Sequence, residues 1–323
     1  MTGSVTALQL RMFFGELIGI YTRGKQISNR LRTQFIQEGL SWQCPAYGLA
    51  ESGGYHVAGE DVLIEAATYL KQVPMADKTF FIDLPWILPM MTPSFDRLQT
   101  HYSTTEIQMR MIAERQARNS DLKACRMLAN AAEAAANVTG ASVPDECETP
   151  AGLTITNAGF LTTPSVILDG LRQAAQRFDE NDVPEGKRYF ACHPAQKHLL
   201  ISDRQLLDKD VLQIPNGDYA KATVYMAHGF EIISSTAVKA MRTAGDYTNV
   251  TGDNATYTAT STGTHAANAG ICFTDESVIR LVRKELEMDS WYQNSRYSHV
   301  VTSRVIDGYG IYRPETVVAF RTS

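Results

Sequence analysis

Between Thr104 and Val138 the chain carries neither glycine nor proline over about 35 residues, and alanine recurs through the run, most densely at Ala129, Ala131, Ala132 and Ala134 to Ala136. No other stretch restricts the fold as much. Alanine and straight-chain side chains lose the least freedom in a helix, so the run predicts one continuous helix over 104–138. Ser103 and Glu106 stand at capping-box spacing, where each side chain satisfies an exposed backbone N–H. Gly140 sits just past the other end. At 1.5 Å per residue such a helix would run about 52 Å, against a mean of about three turns in globular proteins. A rod of this length crosses a large domain or serves as a structural beam. Ile107, Met111, Leu122, Cys125, Leu128 and Ala132 recur largely at three- and four-residue steps, interrupted by Glu114 and Arg118. Leu122 and Leu128 are expected to face the core.

The flanking sequence is of a different kind. Residues 6–21, apolar from Leu8 to Tyr21, have the spacing of a short helix that needs a partner surface. Residues 39–78 hold Gly39, Gly48, Gly53, Gly54 and Gly59 with Pro45 and Pro74, between strand-like flanks at Trp42–Tyr47 and Val62–Val73. Such a length without helical patterning exceeds an ordinary loop. Its aromatic and β-branched flanks predict a long β-hairpin projecting from the body. Residues 79–92 read as a buried strand turning into a loop, with Pro85, Pro89 and Pro93 excluding helix.

After the long helix, Thr163-Pro164 opens a second one as N-cap and first-turn proline. Its apolar face is Val166, Ile167, Leu171, Ala174, Ala175 and Phe178. Lys187–Cys192 reads as a strand, Pro194–Ile201 as a short helix, and Thr223–Met226 with Phe230–Ser234 as a hairpin around His228-Gly229. Residues 241–267, rich in threonine, are expected to be an exposed loop. Ile271–Phe273 has β character, and Ser277–Glu285 fits strand or helix. Tyr297–Ile306 and Thr316–Phe320 are expected as late strands joined by a turn at Gly308-Tyr309-Gly310 that return to an earlier region. The fold class is α+β.

Composition excludes several functions. The 323 residues are 44% hydrophobic and 20% charged, with a net charge of −5. Sequence-independent DNA binding through the general field would ask for a basic chain. Residues 1–40 are nevertheless net basic, and Arg23, Lys25, Arg30 and Arg32 make a possible DNA-facing arm. The most apolar run, Phe80 to Met91, contains Asp83, Pro85 and Pro89 and cannot span a membrane as a regular helix. The first ten residues do not read as a signal peptide. Five scattered cysteines without a CxxC pair indicate neither a disulfide framework nor a zinc site.

The motifs of common enzymes are missing: GxGxxG, GxxxxGK[ST], HExxH, GxSxG and SxxK with its companions. His193 and His198 are poorly spaced for one metal, and Cys192 and His193, adjacent on a strand, would point to opposite faces. Asp208 and Asp210 fit a solvated turn better than a cation site. No catalytic, cofactor-binding or metal-binding residue is assigned. The sequons at Asn137, Asn249 and Asn254 are chance matches.

Several segments together resemble one family. Phe14-Gly15-Glu16 with the apolar residues that follow, Ser41 to Tyr47 with the Gly-rich hairpin, Leu98 to Ser103 leading into the long helix, and Gly308 to Glu315 before an apolar strand are similar to the major capsid proteins of tailed bacteriophages, of the Hong-Kong-97-type fold. The short-tailed podoviruses are the nearest group. The resemblance implies an N-terminal arm at 1–40 and an extended loop at 41–78. It implies a peripheral domain at 79–160 and 291–323 with the spine helix, and an axial domain at 161–290 carrying the loop 241–267. It also implies self-assembly into hexamers and pentamers of an icosahedral shell enclosing double-stranded DNA in the virion capsid, assembled in the host cytoplasm. A scaffolding protein, a portal protein at one vertex and weakly contacted DNA would be partners; no enzyme activity, cofactor, membrane contact or Lys–Asn crosslink is implied. On this reading Tyr55, Val62, Leu63, Ile64 and Tyr69 of the extended loop lie on a neighbouring subunit. An encapsulin-like cargo shell and a soluble α+β enzyme are the alternatives.

Overall fold

The computed structural model describes residues 16–52, 55–59, 61, 71, 73–93, 104–140, 143–184, 186–202, 217–218, 223–224, 226–240 and 267–322. The expected capping pair at Ser103, the strand at Val62–Val73 for the most part, and the loop 241–267 apart from Ala267 lie outside them.

Two mixed sheets are organised by one helix. Residues 16–24 are helical (α1), and β1 (Arg32–Phe35), β2 (Ser41–Tyr47), β3 (Met75–Phe81) and β4 (Trp86–Pro93) precede the long helix α2 (Thr104–Ala131). Next come β5 (Leu153–Thr156), α3 (Pro164–Glu180), β6 (Arg188–Cys192) and α4 (Pro194–Ile201). Four short elements follow: β7 (Gly217–Asp218), β8 (Thr223–Val224), β9 (Met226–Ala227) and β10 (Phe230–Ser234), then the single turn α5 (Ala237–Ala240). The chain closes with β11 (Asn268–Thr274), β12 (Val278–Gln293), β13 (Ser298–Ile311) and β14 (Val317–Arg321). One sheet has the order β1-β12-β13-β4 and the other β5-β14-β11-β6-β10-β9, while β2 and β3 form a ribbon of their own.

The six-stranded sheet is covered on both faces, which is why its strands read as unbroken apolar runs. Tyr189, Ala191, Ile271, Phe273, Val317 and Ala319 face α2. The alternate residues Phe190, Cys192, Cys272, Val318 and Phe320 face α3 through Ile167, Leu171, Ala174 and Phe178. The second half of α2 runs between the two sheets, so Leu122, Cys125, Leu128 and their neighbours on every side are buried. The first half packs by one face only. Met109, Ile112, Ala113 and Ala117 bury against Leu286, Val301 and Val305 of the four-stranded sheet and against Leu17 and Tyr21 of α1. Ile107 and Met111, expected on the core stripe, are instead exposed.

Several boundaries differ from the sequence expectation. α2 stops at Ala131, not at Val138, because the returning chain occupies its axis. The Gly152 N–H donates to the Ala134 carbonyl at 3.2 Å, and a Cβ at Gly152 would strike the Ala131 carbonyl oxygen. Thr149 Oγ1 then accepts the N–H groups of Asn137 and Val138, both at 3.0 Å. Thr163 holds the N-cap position of α3 without a capping hydrogen bond from its side chain. Gly308-Tyr309-Gly310 is no turn but lies within β13. A Cβ at Gly308 would meet the Phe81 carbonyl oxygen, and one at Gly310 the Phe80 ring, where the end of β3 crosses over. Residues 79–92 contain two strands, not one. Pro89 and Pro93 are tolerated in β4 because β4 is a sheet edge. β13 and β14 do not pair with each other. β14 joins the six-stranded sheet between β5 and β11, and β12 pairs β13 in the other, so neither sheet follows the boundaries 161–290 and 291–323. The His228-Gly229 turn stands as expected, with φ of 47° and 81° between Ala227 and Phe230.

Candidate assembly surfaces

Strand alternation splits the β2–β3 ribbon into two faces. Trp42, Cys44 and Ala46 with Ala76, Lys78 and Phe80 turn inward. Trp42 and Phe80 pair across the strands with ring centroids 5.8 Å apart, and Phe80 buries against Ile279 and Leu281. The outward face carries Tyr47 opposite Met75, both exposed, with Leu49 and Val73 exposed just beyond them and Leu40 exposed at the other end of the ribbon. The ribbon is therefore rooted in its own subunit by one face and leaves the other uncovered, polar at Gln43, Asp77 and Thr79 and apolar at its far end. Tyr55, beyond its end, is 99% exposed. Val62, Leu63, Ile64 and Tyr69 lie outside the described residues.

A second uncovered face lies on the four-stranded sheet. Register places Glu287, Arg304 and Ile87 in one row across β12, β13 and β4, Asp289, Thr302 and Pro89 in the next, and Trp291, Val300 and Met91 in the third. The opposite face of these strands packs on α2. The outer face keeps Ile87, Met91 and Trp291 exposed around an ion cluster in which Arg304 Nε donates to Glu287 Oε2 at 2.6 Å and Lys284 Nζ to Oε1 at 2.9 Å. These charges are half in water and contribute little to stability. They do fix the polarity of an otherwise apolar patch.

Behind this face is a buried ionic cluster with no direct sign in the sequence. Lys123 Nζ of α2 donates to Asp83 Oδ2 at 3.0 Å and to Asp307 Oδ1 at 3.3 Å. Arg280 of β12 reaches Asp307 Oδ2 at 3.5 Å and Glu285 at 3.3 Å, and Lys25 reaches Glu285 at 3.5 Å. Ser120 and Tyr309 donate to Asp307 at 3.4 Å each, and Ser28 and Tyr309 share a hydrogen bond of 2.7 Å. Three cations face three carboxylates, so a set of charges that would be prohibitive singly is balanced. Burial alone would raise the Asp307 carboxyl, but Lys123 and Arg280 overcome it and hold it below the usual carboxylate range. Burial likewise opposes the charge on Lys123, and Asp307 and Asp83 raise it above the ordinary lysine value regardless. Burial, with Asp307 adding to it, pushes the Tyr21 phenol up to about 12. Beside the cluster, Asp121 accepts the N–H groups of Gln26, Ile27 and Ser28 at 2.8, 3.2 and 2.9 Å and clamps the N-terminal segment to α2.

This arrangement corrects the basic arm. Lys25 is buried, over the Tyr21 ring at 4.2 Å and beside Glu285, so it does not face outward with the other three. Arg30 is half-buried against Glu231 at 2.7 Å, whereas Arg23 and Arg32 are exposed. Nor do residues 16–35 extend freely: Leu17 and Tyr21 pack on α2, and β1 pairs in parallel with Ile279–Val282. His193 caps α4, its Nδ1 accepting the Ala195 N–H at 3.3 Å. Cys125, Cys192 and Cys272 are buried, and burial pushes their thiols up, which leaves no activated nucleophile among them. Among the described residues no helix is long and apolar enough to cross a membrane, and no cluster of side chains could hold a metal ion.

Comparison with known proteins gives a family and a fold. The family model described as Gp10A-like, major capsid protein, matches residues 44–321. The capsid structure of cyanophage P-SCSP1u superposes with a TM-score of 0.75 at 21% identity, covering 91% of this chain and 86% of that one. The mature capsid of bacteriophage PhiM1 does so with 0.72 at 16% identity, covering 93% and 87%. A virus-like particle from Pyrococcus furiosus matches with 0.56 at 11% identity, covering 96% and 98%. At these identities the structures share the fold. No curated protein matches the chain in sequence.

Proposed function

The chain belongs to the Gp10A-like family of major capsid proteins, and from that membership we propose that its copies form hexamers and pentamers that close into an icosahedral shell around double-stranded DNA. It is a structural protein of the capsid shell. The observation that carries the finer reading is the uncovered apolar area at the far end of the ribbon, Tyr47, Leu49, Val73 and Met75, and on the Ile87–Met91–Trp291 face, which the subunit's own fold leaves in water. A neighbouring copy is the natural cover. Apolar area removed from water stabilises by about 25 cal/mol per Å², and a stable interface buries about 1,600 Å² in total. Closed symmetry lets one chain supply both sides of every contact.

In this reading residues 41–78 are the extended loop, with Tyr55, Val62, Leu63, Ile64 and Tyr69 lying on a neighbour. Residues 79–160 with 291–323, and 161–290, are the peripheral and axial regions, exchanging β12 for β5 and β14 between their sheets. Arg23, Arg30 and Arg32 face packaged DNA, and Lys25 has a structural role. A scaffolding protein, a portal protein at one vertex, assembly in the host cytoplasm and a short-tailed virion complete the proposal. No residue acts as a catalyst. Electron microscopy of the purified protein, with analytical ultracentrifugation across concentration and salt, tests it. Closed shells or capsomers are expected, and a monodisperse monomer under all conditions refutes it. Nucleic acid within particles recovered from infected cells separates a DNA capsid from a cargo shell.

A further inference from the structure

Between α1, the middle of α2 and the turn before α5 lies a cleft of about 720 Å³. Arg23 lines it from the end of α1, and Arg115 and Arg118, three residues apart on one side of α2, line it from below. All three are exposed. The Arg23 Nε donates to the Gly19 carbonyl at 3.3 Å, so its terminal nitrogens remain for another acceptor. Arg115 and Arg118 have no hydrogen-bond or ion-pair partner among the described residues. Two carboxylates share the wall, but Asp121 is engaged by three backbone N–H groups of the N-terminal segment. Glu114 is left as the one carboxylate facing three guanidinium groups. The cleft's formal balance is 3 − 2 = +1, in a chain whose total is −5. Ser234, Ser235 and Thr236 form the far wall and add hydroxyl groups.

We propose that this cleft binds the phosphodiester backbone of nucleic acid, with Arg115 and Arg118 as its principal contacts and Arg23 as the third. Guanidinium forks match tetrahedral oxyanions and donate to them bidentately. Hydroxyl groups opposite complete a phosphate's hydrogen bonds without reading sequence. Nucleic acid as the source of the phosphate rests on the reading of the chain as a DNA-enclosing shell. The cleft moves the expected contact from the arm alone, where Lys25 is buried, to the junction of arm and spine helix.

The test is binding of the full-length protein to a fluorescein-labelled 20-base-pair duplex between 50 and 200 mM salt. Inorganic tripolyphosphate serves as a second probe, and Arg115→Gln/Arg118→Gln is compared with Arg172→Gln/Arg177→Gln on α3. Each phosphate contact contributes about −0.9 to the slope of log K against log salt. The cleft variant is expected to lose roughly two units of that slope and about tenfold in affinity at 50 mM salt. The α3 variant, which removes equal charge elsewhere, is expected to keep both. An unchanged slope in the cleft variant, an equal loss in both variants, no duplex binding by the parent protein, or binding of tripolyphosphate but not duplex each overturns the proposal. Shell formation is scored separately by electron microscopy. Normal shells with an unchanged slope refute only the cleft, and absent shells with the expected slope refute only the assembly reading.

Discussion

Asp307 gathers two direct cationic partners and two hydroxyl donors in a site it shares with Asp83, and the consequences of that convergence are measurable. Replacing it by asparagine leaves Lys123 and Arg280 short of one carboxylate in the interior, at a cost of about 3–5 kcal/mol. The pH dependence has a definite sign. The folded Asp307 sits below its unfolded value, so its contribution is present above the unfolded value of about 3.9 and is lost as pH falls through the folded one. Lys123 sits above its unfolded value, so its contribution is present below about 10.4 and is lost as pH rises through the folded one. The pair's contribution is thus flat between those limits. Urea midpoints of wild type and Asp307→Asn should differ at pH 7 and converge in acid, and a constant gap down to pH 2 would remove Asp307 from this role. Leu128, fully buried between the sheets, gives a simpler test. Leu128→Asp should yield insoluble protein, since an unpaired charge there costs several kcal/mol. Normal solubility of that variant would place the residue elsewhere. At this scale the sequence was legible where a residue's type and its environment agree, as at Leu122 and Leu128. It misled at Lys25, because a charge count along a segment does not say which cations the fold will bury. Tyr21 four residues before Lys25 was the available hint.

Elements were legible where periodicity and capping agree with packing, and illegible where another segment decides. α3, β6, α4 and the His228-Gly229 hairpin follow from local signals alone. The end of α2 does not: Ala134 to Ala136 are strong helix formers, and tertiary contact with Gly152 overrides them. Gly308 and Gly310 look like turn residues in isolation. Their reason is close passage of the backbone at Phe81 and the ring of Phe80, which no local pattern encodes. That reason can be tested, since a side chain at 308 must displace backbone and not merely another side chain. Gly308→Ala should lower the urea midpoint by the equivalent of about 1–3 kcal/mol. Gly39→Ala, at φ 86° in an open loop, should cost about 1–2 kcal/mol from backbone strain alone. A larger loss at 39 than at 308 would contradict the crossing.

For the whole molecule, the question is whether the ribbon belongs to folding or to assembly, and the structure provides a place to cut. Its root is held by the Trp42–Phe80 pair, by Phe80 against Ile279 and Leu281, and by the Leu49 N–H donating to the Cys147 carbonyl at 3.3 Å. Beside Leu49, the Gly48 N–H donates to the Pro74 carbonyl at 2.9 Å, so the two strands are already adjacent there. Replacing residues 50–73 by a short Gly-Ser turn therefore closes the ribbon without stretching it. The exposed contact of Ser52 with Glu146 goes with the deletion, a loss of about 1 kcal/mol. Among the described residues, none of those removed belongs to the core clusters of either sheet. The variant should be soluble, with circular dichroism per residue close to wild type and a urea midpoint lowered only slightly. It should fail to close shells, because each copy would lose contacts on both sides of every subunit boundary that the loop crosses. A monomeric protein would show the reverse, either unfolding or keeping its oligomeric state. Circular dichroism and electron microscopy on the same preparation decide between these. Normal shells from the shortened chain would refute the loop's role in assembly and shift the burden of contact to the Ile87–Met91–Trp291 face, where Trp291→Lys would be the next substitution to examine for loss of shells.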